Sequence, residues 1–186
     1  TLTRNIKKLS VGQIVYSAMC YENGTMFDDG TLLRLSETGF RWVCGDEYAG
    51  EWLKEQAKKK NFKVLIKNST DQINNLSVQG PNSRKILEKI IFTPPTQPTI
   101  SELQWFRFTI CRLEELNGIP LIVSRTGYTG ELGYEVWCHP DHAPEVWDKI
   151  MKAGKDDGLI PAGFGALDLL RIEAGLVLFG NEFDGQ

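Results

Sequence analysis

At 186 residues, with 41% hydrophobic and 24% charged content, the chain is long enough to bury a sizeable core in one large or two small domains. A net charge of −3 with one short basic run, Lys58 to Lys60, excludes the one-sided cationic surface of a nucleic-acid binder. No apolar run reaches the roughly 18–20 residues that cross a bilayer and no secretory signal is present, so a soluble chain is expected. Cys20, Cys44, Cys111 and Cys138 show no Cys-x-x-Cys spacing, which suggests neither a zinc site nor a disulfide framework and fits a reducing, cytoplasmic compartment. His139 and His142, the only histidines, are too few to hold a metal, and none is expected.

In chain order, residues 11–20 and 31–35 read as strands around the turn at Glu22-Asn-Gly24, followed by a strand at 40–44. Residues 49–60 have helical character with Trp52, Leu53 and Ala57 on one side, and residues 83–91 read as a helix with Pro81 near its start. The proline-rich stretch from Thr93 to Thr99 reads as a connector between two units, 1–95 and 96–186. Beyond it, strands are predicted at 105–113 and 119–124 around Asn117-Gly118, and another at 134–137. Helices follow at 143–153, with Val146, Trp147 and Ile150 inward, and at 165–174, with Leu169, Leu170 and Ile172 inward. The pattern indicates an α+β fold of antiparallel sheets with packed helices.

The run Arg125-Thr-Gly-Tyr-Thr-Gly-Glu-Leu-Gly-Tyr-Glu135 holds three glycines, two tyrosines and two glutamates in eleven residues. Glycines at 127, 130 and 133 allow positive φ and close approach of the backbone to a ligand, while Tyr128, Glu131 and Glu135 offer a ring, a hydroxyl and carboxylates. The same composition also suits a structural β-hairpin with its polar residues in water. Upstream, Asp28 and Asp29 lead into a strand, where neighbours point to opposite faces, so at most one of them faces a pocket. Gln79-Gly-Pro81 reads as a turn that starts a helix, and Arg171 and Glu173 read as scaffold.

The Ser-Arg-Thr-Gly-Tyr-Thr-Gly-Glu-x-Gly-Tyr-Glu run resembles that of the aminomethyltransferase family, the T-protein of the glycine cleavage system and its relatives. Gly12-Gln-Ile-Val-Tyr16, Met26-Phe-Asp-Asp-Gly30, Gln79-Gly-Pro81 and the segment from Leu170 to Glu182 agree in order and spacing. The resemblance implies paired ferredoxin-like units around a central tetrahydrofolate site, between the Asp29 strand and the Tyr128 to Glu135 loop. It implies one-carbon transfer from an aminomethyl donor to tetrahydrofolate, with Asp29 as the catalytic carboxylate. Tyr16 then shapes the pocket, Glu135 grips the pterin ring, and Tyr128, Glu131 and Arg125 stand beside it, Arg125 and Glu131 alternatively pairing to hold the loop. A lipoylated H-protein is the implied partner, and the location is cytoplasmic, or the mitochondrial matrix in a eukaryote. Compared with the family, the chain resembles a fragment lacking a first segment and the C-terminal barrel.

Two departures matter. Typical T-proteins carry a folate-contacting arginine where Leu167 stands in Gly165-Ala-Leu-Asp168, and an asparagine in the region of Val43-Cys-Gly45. These, with Asp-Asp-Gly in place of Asp-Asp followed by an aliphatic residue, are closer to the folate-binding parts of sarcosine and dimethylglycine oxidising enzymes. A folate-dependent demethylase and a non-catalytic folate-binding protein therefore stand as alternatives, with Asp29 favouring an enzyme.

Overall fold

The chain packs into two units, one of residues 1–69 with 177–186 and one of residues 70–176. A computed structural model describes residues 2–184. In the first unit, β1 (Ile14–Cys20), β2 (Met26–Arg34) and β3 (Phe40–Cys44) form an antiparallel sheet in the order β1-β2-β3. Gly24, at φ +90°, closes the β1–β2 turn, a backbone conformation that glycine adopts without strain. Helix α1 (Ala49–Lys59) buries Trp52 and Gln56, spaced four apart on one face. Trp52 packs with Met19, Phe27 and Ala49 into a small aromatic core, its ring edge-on to Phe27 at 6.0 Å.

β1 starts at Ile14 because Gly12, at φ +83°, turns the chain just before it, rather than at residue 11. β2 starts at Met26, well before the expected residue 31, and this carries the Asp28–Asp29 pair into the strand itself. Gly30 is the consequence of close strand approach: a Cβ there would lie 2.2 Å from the Val43 carbonyl oxygen and 3.0 Å from the Trp42 ring. Gly30→Val is accordingly expected to destabilise the protein by about 1–3 kcal/mol, the usual scale of overpacking. An unchanged urea midpoint would show that β3 moves aside freely.

In the second unit, β4 (Asn74–Gln79), β5 (Ile91–Phe92), β6 (Phe108–Leu113), β7 (Pro120–Ser124) and β8 (Gly133–Cys138) form a wholly antiparallel sheet ordered β4-β8-β7-β6-β5. Helices α2 (Ser83–Glu88) and α3 (Ala143–Gly154) contribute Leu87, Val146 and Ile150 to its core, with Val78, Leu121, Val123, Tyr134 and Val136 from the strands. Asp157, just beyond α3, joins the helices by accepting from Lys85 at 2.6 Å and Lys89 at 2.5 Å. Helix α4 (Phe164–Glu173) completes the unit. Four cysteines are free. No helix of the described residues is long and apolar enough to cross a membrane.

The α+β class agrees with the expectation, but several details differ. The proline-rich stretch is not a boundary. The second unit begins at residue 70, and Ile100 and Leu103, on the far side of the stretch, share the core with Leu87 and Ile90. The stretch is stitched onto β6, with Thr109 Oγ1 donating to Pro98 O at 2.8 Å and Ile110 N to Gln97 Oε1 at 3.3 Å. α2 ends at Glu88, and Ile91 pairs with Leu113 in a strand instead of closing the helix. Trp147 is 44% exposed rather than inward, and so are Leu169 at 66%, Leu170 at 39% and Ile172 at 53%, because helical spacing marks an apolar stripe without saying what covers it.

Candidate functional site

Each unit supplies one cluster of the expected site residues. In the first, antiparallel pairing sets Tyr16 opposite Thr31 and Ala18 opposite Asp29, so Tyr16 and Asp29 are diagonal neighbours. The Tyr16 hydroxyl donates to Asp29 Oδ2 at 2.6 Å. Strand alternation separates the two aspartates as expected. Asp28 is 0% exposed, and its two oxygens accept from the backbone N–H of Asp29 at 2.8 Å and of Asp46 at 3.0 Å, which makes it an anchor between β2 and the turn after β3. Asp29 is half-buried.

Burial pushes the Asp29 carboxyl above its ordinary value; the Tyr16 hydrogen bond opposes that rise, and the Asp28 charge adds to it. The nearby Cys44 thiol is pushed up to about 12, first by burial and then by Asp28. It is therefore held as a thiol, and Cys44 offers no thiolate nucleophile.

In the second unit, Ser77 and Ser124 flank Glu135 on the neighbouring strands. Glu135 Oε1 accepts from Asn75 Nδ2 at 2.7 Å, and Oε2 accepts a short bond from the Thr126 hydroxyl. Thr126 Oγ1 is also 2.7 Å from Ser124 Oγ, and Trp137 Nε1 donates to Ser124 Oγ at 3.1 Å. With the Thr126 proton committed to Glu135, the Ser124 proton points at Thr126, so Trp137, Ser124 and Thr126 form a chain of donors all directed toward one carboxylate. Such chains strengthen one another in a dry setting, and Ser124, Thr126 and Trp137 are all buried.

The remaining loop residues take different parts. Arg125 Nη1 donates to Leu103 O at 3.2 Å, and its backbone pairs with Phe106 and Arg107, so Arg125 fastens the loop to the entry of β6. Arg125 and Glu131 form no ion pair among the described residues; the Glu131 side chain is exposed, and Tyr128 is half-buried. Of the three loop glycines only Gly130 has positive φ, at +74°. Gly127 and Gly133 are small for another reason: a Cβ at either would collide with the Gln79 side chain. Asn75, Ser124 and Thr126 were not singled out from the sequence. Ser124 and Thr126 lay in view inside the motif, whereas Asn75 sits on β4, a strand whose polar residues hide it.

Arg171 is 2% exposed, with Nε donating to Asp168 Oδ1 at 2.8 Å and Nη1 to Leu176 O at 3.2 Å. It closes the end of α4, as its scaffold assignment anticipated. Arg171→Met should cost about 1–3 kcal/mol by removing the charged hydrogen bonds that close the end of α4, read as a lower thermal midpoint. Among the described residues no group of three or more His, Cys, Asp or Glu side chains is arranged to hold a metal ion.

Comparison with known proteins places this chain in a family. The chain is 53% identical over 99% of its length to the trimethylamine-oxide aldolase of Ruegeria pomeroyi, of which it covers 23%. It is 39% identical over 98% of its length to the aminomethyltransferase of Halothermothrix orenii, of which it covers 49%. The crystal structure of glycine cleavage system aminomethyltransferase T from Bartonella henselae superposes on the whole chain with a TM-score of 0.76 at 26% identity, the chain covering 47% of it. The chain thus spans about a quarter to a half of these relatives. The GCVT N-terminal domain matches residues 1–186, and the chain belongs to that family.

Proposed function

We propose that this chain carries out tetrahydrofolate-dependent one-carbon transfer, with an aminomethyl group as donor. The observation that carries the proposal is the Tyr16–Asp29 pair: a half-buried carboxyl, raised above its ordinary value and aimed by a phenol at 2.6 Å. A carboxylate of raised basicity, fixed near a reacting carbon, both stabilises the positive charge that develops there and accepts a proton from nitrogen. The phenol orients Asp29 and moderates its rise.

The ligand proposed for the second unit is a reduced pterin. Each Glu135 oxygen keeps a lone pair beyond its protein donor, so the carboxylate offers two side-by-side acceptors to a flat ligand with adjacent N–H groups. Tetrahydrofolate supplies the nucleophilic nitrogens that receive the one-carbon unit. Tyr128, Glu131 and Arg125 are the further ligand contacts proposed on the same loop, and a lipoylated H-protein is the proposed carrier of the donor.

A second reading of the donor rests on the 53% identity to a trimethylamine-oxide aldolase. Cleavage of trimethylamine oxide into dimethylamine and formaldehyde balances without any oxidant, and Asp29 would then assist capture of formaldehyde on the folate with loss of water. The two donors are separated by offering the full-length protein either aminomethyl-loaded H-protein or formaldehyde and following the one-carbon adduct of tetrahydrofolate. A failure to exceed the uncatalysed rate with either donor would reject the transferase reading; turnover with formaldehyde but not with loaded H-protein would select the second donor.

A further inference from the structure

Gln79, at the end of β4, pairs with Gly133 in the sheet and turns its side chain along the motif loop. Its amide Nε2 lies 3.3 Å from Thr126 O, 3.0 Å from Tyr134 O and 3.1 Å from Ser77 Oγ, so its two N–H bonds are shared among three oxygens. Oε1 is buried without a hydrogen-bond partner. Rotating the amide by half a turn would set that oxygen against two carbonyls, which fixes the orientation. Where Oε1 sits, a Cβ on Gly127 would approach it to 2.1 Å and one on Gly133 to 1.6 Å. Neither glycine has the left-handed φ that would otherwise demand glycine. The two residues are therefore small to admit this one amide.

The two carbonyls that Gln79 ties belong to Thr126, which donates to Glu135, and to Tyr134, which precedes Glu135. A single amide thus sets the separation between the donor's backbone and the acceptor's. We propose that Gln79 is a positioning residue for the Thr126–Glu135 acceptor, a wedge without ligand contact of its own that sets folate affinity by holding that carboxylate in register. The proposal rests on the folate reading given above. It assigns Gln79 of the Gln-Gly-Pro turn a part in the site, beyond starting a helix.

The test titrates tetrahydrofolate into the full-length protein as wild type, Gln79→Met, Thr126→Val and the pair of changes together. Gln79→Met keeps the bulk and removes the donors; it should weaken binding about tenfold in the wild-type background and less than about twofold in Thr126→Val, since both act on one carboxylate. The rise should appear in KM for tetrahydrofolate, with kcat little changed. Wild-type affinity in Gln79→Met, or losses that simply multiply in the double variant, would overturn the proposal. A second measurement does not depend on the ligand. Gly127→Ala should lower the thermal midpoint by about 2–4 °C or more where Gln79 is present and by less than half of that in a Gln79→Ala background, where the space is free. Equal losses in both backgrounds would reject the wedge, whereas failure of the wild type to bind tetrahydrofolate would reject the folate reading and leave the melts to decide the wedge.

Discussion

Asp29→Asn is expected to lower one-carbon transfer by about a hundredfold or more while leaving the protein folded, the usual scale for a positioned acid–base group. The asparagine keeps the volume and can still accept from Tyr16, so what it removes is charge and basicity. Its effect should fall on kcat with little change in the affinity for tetrahydrofolate. The stability effect has the opposite sign. Burial, the leading cause, raises the Asp29 pKa above its ordinary 3.8, so the folded chain holds that proton more tightly than the unfolded chain does. The stability Asp29 contributes is fully present below the unfolded value and is lost as pH rises through the raised one. At neutral pH the buried charge is therefore a cost, and Asp29→Asn should melt at or above the wild-type temperature. In the wild type the acid limb of kcat/KM should lie above 3.8. Tyr16→Phe, which removes the bond opposing the rise, should move that limb to higher pH. A rate profile that does not move in Tyr16→Phe would detach the phenol from Asp29.

Glu135→Gln should weaken tetrahydrofolate binding by roughly a hundredfold, the loss of one or two charge-assisted bonds at about 1.5–3 kcal/mol each. The geometry makes this change more damaging than its size suggests. Asn75 and Thr126 are both donors to Glu135, one to each oxygen. An amide has a single acceptor oxygen, so either Asn75 or Thr126 would face its NH2 group, and the offered face would carry one acceptor in place of two. The signature is a higher KM for tetrahydrofolate with kcat largely kept at saturation, the reverse of Asp29→Asn. Steady-state kinetics on the two variants side by side would show whether the groups divide the work as assigned; matching losses in kcat would contradict that division.

How far these residues were legible in the sequence depends on how local their physics is. The loop from Arg125 to Glu135 stood out because glycine, tyrosine and glutamate at such density exceed what a hairpin needs. The separation of Asp28 from Asp29 followed from strand alternation alone, and the structure shows one buried anchor and one half-buried carboxyl. What stayed hidden depended on partners distant in sequence. β4 reads Asn-Asn-Leu-Ser-Val-Gln, four of its six residues polar, and Asn75 and Gln79 gain meaning only when β4 pairs with β8. The loop glycines were visible, but their reason was not: Gly127 and Gly133 answer to a side chain some fifty residues earlier, not to their own φ. Thr93 to Thr99 has the composition of a linker, yet the apolar residues on both sides of it share one core. The stripe on α4 was correctly seen as apolar, while its burial was not a property of α4 alone.

The most direct test of the account is a calorimetric titration of tetrahydrofolate into the full-length protein, as wild type and as Glu135→Ala. The account predicts one site of about micromolar affinity, some 8 kcal/mol of binding, that disappears in Glu135→Ala. No binding to the wild type, or equal binding by Glu135→Ala, would contradict it.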